Sequence, residues 1–347
     1  MTTQLDIVRD GPLGVIALNR PEAINALSLE MIEGITRTLL QWQDVPALRV
    51  VLFEGRGPRG FCAGGDVRWV RQAILDGRGE DADAYFAAEY RMNALIAAYP
   101  KPLVALTHGV VMGGGIGIAG HCRYRFTLDG AKFAMPEAAI GFVADVGVNR
   151  ILGKVPLHRA LLFLMSGIAV GAADARELGL VDAVCNPEHR EAIRVAIGIA
   201  SSAPDPDLAL RELVQSESVA AGEPVFCIEA DLVAAYDVDW QSAESIVAAT
   251  AGRLADTLNS RSPTSLEAIV QSHLAARYLS STPEVLALDL RLAKMLARMP
   301  DFAEGVRAVL VDKDQKPAWT PKEFAAVARQ VIAATILPPL ELNRAES

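Results

Sequence analysis

Two carboxylates, Glu137 and Asp145, stand eight positions apart in the otherwise apolar run FAMPEAAIGFVADVG at 133–147. Acidic side chains are seldom fully buried without a partner. Apolar surroundings disfavour the charged form, which raises proton affinity and suits such a group to acid–base work. The plain alternatives are an acid at a helix start for Glu137, which follows Pro136, and a loop cap for Asp145. Upstream lie two glycine-rich turns, FCAGGDV at 61–67 and MGGGIG at 112–117. Each follows an apolar strand-like run and precedes a helical pattern. The first N–H groups of a helix have no intrahelical partner and can bind negative charge, and glycine lets the backbone approach a ligand closely. Two such turns can aim two N–H groups at one oxygen. That is an oxyanion hole, where each donor stabilises a transition state by about 3–4 kcal/mol. For either turn alone, a tight strand-to-helix connection is sufficient reason for the glycines.

Other chemistries leave weaker traces. Residues 115–120, GIGIAG, match GxGxxG, with Asp129 or Glu137 downstream, so a nicotinamide-dependent oxidoreductase is a reading to weigh. The match falls in mid-chain, and neither the triple glycine nor the earlier glycine turn belongs to that fingerprint. There is no GxSxG elbow and no phosphate-binding Walker loop. Four cysteines, Cys62, Cys122, Cys185 and Cys227, lie far apart, and five histidines show no HxxxH spacing. The sequence therefore points to no disulfide framework and no metal site. Thirty-three Lys and Arg against 42 Asp and Glu give a net charge of −9, which argues against nucleic acid as partner. No window reaches the ~18 apolar residues of a membrane span, and the first ten residues lack a signal pattern. Buried reduced thiols and this N-terminus set the expectation of a cytoplasmic protein.

The elements that must position these groups alternate. Apolar runs at 13–18, 48–53, 103–106, 123–128 and 181–185 read as strands. Helical spacing occupies 29–42, with Ser28 as N-cap, and 82–99, which Pro100 and Pro102 end. Helices are expected at 157–165, 172–178 and 189–201. After a linker at 203–207 the chain turns almost wholly helical, at 243–258, 265–278, 283–298 and 321–334. Alternation of this kind makes an α/β fold with crossovers the expectation. The expected layout is an α/β core at 1–202, a linker and variable helical segment at 203–242, and a helical region at 243–347. The helical stripes at the end serve packing on the same chain's core or a subunit interface.

Taken together, FCAGGD at 61–66, GGG at 113–115 and FAMPE at 133–137 resemble the enoyl-CoA hydratase/isomerase (crotonase) superfamily. LNRP at 18–21 and INAL at 24–27 are similar to that family's opening segment. Glu89-Tyr90, DVG at 145–147, SPTS at 262–265 and 302–314 resemble its 3-hydroxyisobutyryl-CoA hydrolase branch, which carries a longer helical tail. The resemblance implies the spiral ββα core of crotonases and hydrolysis of a short hydroxyacyl-CoA thioester. Gly65 and Gly114 would hold the carbonyl oxygen, and Glu137 would act as nucleophile or general base. Asp145 and Glu89 would contact the acyl hydroxyl, and Ala23, Ala26, Ala63, Gly65, Asp66 and Val67 would hold CoA. No cofactor is implied beyond the CoA of the substrate. The family's habit implies a homo-oligomer, a trimer or a pair of trimers. Hydratases of the family carry a second glutamate where this chain has Gly117, so a hydratase or isomerase is the alternative rather than the first reading. A non-catalytic CoA-binding protein and a dehalogenase-like use of Asp145 are the remaining ones. The chain departs from the hydrolase pattern at Ala144, where proline is usual, and at Val148-Asn149-Arg150, where a glycine run is usual. These positions are expected near the acyl pocket.

Overall fold

The computed structural model describes residues 4–336; the two chain ends, 1–3 and 337–347, which the expected layout includes, lie outside the described residues. The strands are β1 (Leu5–Asp10), β2 (Leu13–Leu18), β3 (Val50–Gly55), β4 (Gly60–Cys62), β5 (Leu103–Thr107), β6 (Val110–Met112), β7 (Tyr124–Leu128), β8 (Lys132–Ala134) and β9 (Ala183–Cys185). They form two sheets, β1-β2-β3-β5-β7-β9 and β4-β6-β8. Every pairing is parallel except the β1–β2 hairpin. The long strands read as unbroken apolar runs because both faces of the large sheet are covered. Val51 and Phe53 face one core, while Val50, Leu52, Val104, Leu106 and Phe126 face another with Ile193, Ile197 and Leu210.

One unit repeats. A long strand of the large sheet is followed by a three-residue strand of the small sheet, then by a helix. Thus β3–β4 leads to α1's successors, α2 (Val67–Leu75) and α3 (Gly79–Ala97), where α1 (Leu29–Gln43) precedes β3. Next, β5–β6 leads to α4 (Gly114–Ala119), and β7–β8 leads to the short 3-10 helix Pro136–Ile140. The expected glycine turns therefore leave β4 and β6 rather than the long strands. Strands of three residues are too short to show a period of two, which is why they escape a reading of the sequence.

Several boundaries move for local reasons. The strand expected at 48–53 is Val50–Gly55, and it runs on through Glu54 because that buried carboxylate pairs with Arg56 at 2.9 Å. Helix α3 starts at Gly79, three residues early, with Glu80 and Asp81 favouring its N-terminus. The helix expected at 243–258 is two, Ala243–Ala248 and Gly252–Asn259, broken where Gly252 takes φ +56°. That expected at 321–334 is the 3-10 turn Phe324–Ala326 and the helix Arg329–Ile336. Ser28 caps α1 as expected, accepting the Met31 N–H at 3.2 Å. Pro206–Glu217, partly inside the expected linker, is a helix capped by Asp205 that packs over β7 and β9.

The C-terminal helices fold back onto their own chain. Thr282–Leu296, opened by a Ser281/Glu284 capping box, packs on α3. Pro300–Val306 packs on α2 and runs into a π-helical turn, Arg307–Val311. Arg71 and Arg68 of α2 clamp it by donating to the carbonyls of Ala303 at 2.8 Å and Leu310 at 2.7 Å. No helix among the described residues is long and apolar enough to cross a membrane.

Candidate active site

Three segments leave the carboxyl ends of the neighbouring parallel strands β4, β6 and β8, and this adjacency assembles the site. From β4 the chain turns through Gly64 at φ +110° to Gly65, and Asp66 caps α2 by accepting from Trp69 N–H. From β6 it turns through Gly113 at φ +49°, a conformation that favours glycine, into α4. Gly114 is the first residue of α4, so its N–H has no acceptor within the helix. The Gly65 N–H meets no protein acceptor among the described residues. The two amides are neighbours: a Cβ built on Gly114 would lie 3.4 Å from the Gly65 nitrogen.

Three buried carboxylates surround this pair. Glu137 sits in the 3-10 turn after β8, started by Pro136 at its first position. Its Oε1 lies 2.9 Å from where a Cβ of Gly113 would be, and its Oε2 has no hydrogen-bond partner. Glu89 projects from α3 against Gly114, with Oε1 unpartnered. Asp145 accepts a short hydrogen bond from the Tyr90 hydroxyl, one residue along α3 from Glu89. Burial pushes the proton affinity of all three upward. Repulsion by Asp145 adds to the shift of Glu89 and Glu137, whereas the Tyr90 hydroxyl partly offsets that of Asp145. The Tyr90 phenol is itself pushed well up, by burial first and then by Asp145.

The turn that presents Asp145 is strained. Val146 takes φ +53° and Gly147 φ +75°. A β-branched residue held in the left-handed region costs on the order of 1–3 kcal/mol and persists only where its surroundings over-determine it. Here His121 donates through Nε2 to the Val146 carbonyl at 2.8 Å, and Gly147 N–H donates to the Asp289 carboxylate at 2.8 Å.

The carboxylates and both glycine turns open on a cavity of about 400 Å³ with no lysine or arginine in its lining among the described residues. Its apolar walls are Phe86, stacked on Phe142 at 5.3 Å, with Ile140, Val146, Val309 and Leu310. Of the residues expected to hold CoA, Ala63, Gly65 and Val67 reach this wall, together with Ile24. Ala23, Ala26 and Asp66 lie outside the lining. Asp66 is taken up by its cap and by an ion pair with Arg20 at 2.8 Å, and Arg20 also donates to the Ala26 carbonyl. Ala144, Val148, Asn149 and Arg150 do not reach the cavity lining, and the first three are buried next to the lining residues Asp145 and Val146. The GxGxxG match also resolves differently. Gly115 and Gly117 lie inside α4, and Gly120 caps it. There they allow close packing: a Cβ on Gly115 would meet Cys62 Cβ at 2.8 Å, and one on Gly117 would meet Val146 Cβ at 2.8 Å and Asn93 Oδ1 at 3.1 Å. Tyr85 carries no local motif and is brought in by packing alone, whereas Tyr90, Phe142, Val309 and Leu310 fall in segments already singled out, at 89–90, 133–147 and 302–314, without a role assigned to them there.

A profile of the enoyl-CoA hydratase/isomerase family matches residues 13–336, and the chain belongs to that family. Within it, the chain is 35% identical to the mitochondrial 3-hydroxyisobutyryl-CoA hydrolase of Danio rerio, over 93% of this chain and 86% of that protein. It is 31% identical to the Homo sapiens protein of the same name, over 93% and 85%. These relatives bear out the resemblance to the hydrolase branch. Among solved structures, a carnitinyl-CoA dehydratase from Mycobacterium thermoresistibile superposes with a TM-score of 0.86 at 30% identity over 96% of both chains. An enoyl-CoA hydratase from Rhodobacter sphaeroides 2.4.1 gives 0.85 at 31%, over 97% of this chain and 98% of that one. The fold is crotonase-like. The expected cytoplasmic location is corrected by the curated relatives, which are named as mitochondrial proteins.

Proposed function

We propose that this chain hydrolyses a short hydroxyacyl-CoA thioester of the 3-hydroxyisobutyryl-CoA kind to CoA and the free hydroxy acid. The observation that carries the reading is the meeting of two unengaged amides, Gly65 and Gly114, with the unpartnered oxygen of Glu137 in one apolar cavity. The thioester carbonyl oxygen lies between the amides. As an oxygen nucleophile adds to the acyl carbon, the carbonyl π pair moves onto that oxygen, where the preorganised donors stabilise it. On collapse the carbon–sulfur bond breaks and sulfur leaves with its electron pair, taking up a proton to give CoA. Glu137 either removes the proton from the attacking water or attacks itself, forming a mixed anhydride that water then opens. Single turnover in ¹⁸O-water separates the routes, because only the second can leave label in Glu137. The raised proton affinity of Glu137, set first by burial and then by Asp145, suits a proton acceptor. Asp145 and the free Oε1 of Glu89 receive the acyl hydroxyl.

Hydration by two glutamates needs a second carboxylate at position 117. There Gly117 leaves no room, since a Cβ would press on Val146 at 2.8 Å. CoA enters as part of the substrate, along the wall of Ala63, Gly65 and Val67, and no further cofactor takes part. Assembly into trimers or pairs of trimers and a place in valine breakdown belong to the same reading; light scattering on a sizing column tests the first. The decisive experiment is Glu137→Gln assayed by thiol release from 3-hydroxyisobutyryl-CoA. Loss of about 10²–10⁴-fold in kcat is expected. Turnover within a few-fold of the parent removes Glu137 from the reaction, and crotonyl-CoA consumed without thiol release from 3-hydroxyisobutyryl-CoA favours the hydratase.

A further inference from the structure

Asp289 lies in the middle of the helix Thr282–Leu296, on the face that buries Val285, Leu286, Leu288 and Leu292, and is itself fully buried. Packing alone asks for an apolar side chain there, because a buried carboxylate is costly unless something holds it. Its Oδ2 accepts the Gly147 N–H at 2.8 Å, while Oδ1 has no partner. Beside it, Asn149 accepts from His273 Nδ1–H at 2.9 Å, and His273 Nε2 is left without a partner. A polar layer of Asp289, Asn149 and His273 thus stands in apolar surroundings, directly behind the strained turn that carries Asp145.

We propose that Asp289 is a positioning residue of the reaction, a carboxylate supplied by the C-terminal helical region that holds the turn at 145–147 in its left-handed conformation and so aims Asp145 into the site. The inference rests on the hydrolase reading. Asp145 is gripped from the front by the Tyr90 hydroxyl and, through Gly147, from behind by Asp289. The two grips come from α3 and from the helix packed on it, so the packing of these helices sets where Asp145 points. Without the acceptor the Gly147 N–H is buried unpaired, and the turn keeps the His121 bond but loses its second hold against relief of the strained Val146 φ of +53°. The carboxylate then drifts from the acyl group while the CoA wall at Ala63 to Val67 is untouched.

The test compares Asp289→Leu and Asp289→Asn with the parent, full chain in each case. The readouts are thiol release from 3-hydroxyisobutyryl-CoA and hydrogen exchange of the peptide covering 145–149. Asparagine keeps an acceptor oxygen and leucine does not. The leucine variant is expected to lose about 100-fold in kcat with KM within about threefold, and to exchange faster at 145–149. The asparagine variant is expected to recover kcat to within about fivefold of the parent and to keep its exchange slow. A folded leucine variant with parental kcat and exchange overturns the proposal, as does an asparagine variant as impaired as the leucine one. Should the leucine variant not fold, Asp289→Ala is read by the same two criteria. If the parent itself releases no thiol, the hydrolase reading fails, while the exchange comparison still decides whether Asp289 holds the turn.

Discussion

Gly114→Ala puts the oxyanion site to the sharpest trial, because it adds one methyl group and keeps both amide N–H groups, with the Glu89 carboxylate the one polar group that must give way. The new Cβ would stand 3.4 Å from the Gly65 nitrogen, 3.0 Å from Leu27 Cδ1 and against the Glu89 carboxylate. A carbonyl oxygen receiving hydrogen bonds from both amides must sit about 2.7–3.1 Å from each nitrogen, so the methyl group crowds the space that this oxygen needs. Loss of one such donor costs about 10²–10³ in kcat, or about 2.7–4 kcal/mol, and crowding of the shared site is expected to cost at least that much. The fold is expected to survive. Alanine is favoured over glycine in a helix by about 0.8–1 kcal/mol, and two of the groups met are the ends of side chains. The assay is thiol release with a parallel titration of free CoA, which has no acyl carbonyl and should bind within about threefold of the parent. A folded variant with normal CoA affinity and turnover within about threefold of the parent refutes the placement of the oxyanion between Gly65 and Gly114.

Two further outcomes follow from the buried acids. Tyr90→Phe removes the hydrogen bond that favours ionised Asp145, so Asp145 will hold its proton to higher pH. The acid limb of the kcat–pH profile is expected to move upward, with a larger loss at pH 6 than at pH 9; an unmoved limb in a folded variant excludes Tyr90 from tuning Asp145. Glu89 has its proton affinity raised on folding, by burial and then by Asp145, so its contribution to stability is full below the ordinary glutamate range and is lost as pH climbs through the raised folded value. Glu89→Gln is therefore expected to raise Tm more at pH 9 than at pH 5, as read by calorimetry at both, and a gain that is equal or larger at pH 5 contradicts the sign.

What the sequence disclosed was what lies contiguously along it. The glycine turns, Glu137 and Asp145 each sit in a short motif whose residue types state their use, and the long strands announce themselves as apolar runs. The small sheet did not, because its three-residue strands carry no periodicity, although its strand ends are what bring the three motifs together. Asp66 reads as a ligand group beside the glycines, yet a cap and Arg20 already occupy it. Asn93 reads as nothing in particular, and its buried amide, unpartnered at both ends, helps to close the space beside Gly117. Val309 and Leu310 fall in the segment 302–314 that the resemblance already marks, but nothing along the chain says that they wall the cavity. Asp289 carries no mark of its own, and tertiary packing alone gives it a place.

Val309 and Leu310 have a consequence for how the enzyme comes into being. By the time the ribosome has translated residue 300, all three acids and both glycine turns are already in the nascent polypeptide. One flank of the acyl chamber is still missing, because it arrives only with 309 and 310, which Arg68 then ties down. The three acids and both turns therefore do not close the chamber by themselves; residues 309 and 310 complete its wall. Cleavage just ahead of residue 309 is expected to strip that wall, and with it thiol release, while Glu89, Glu137, Asp145 and both turns stay on the other fragment.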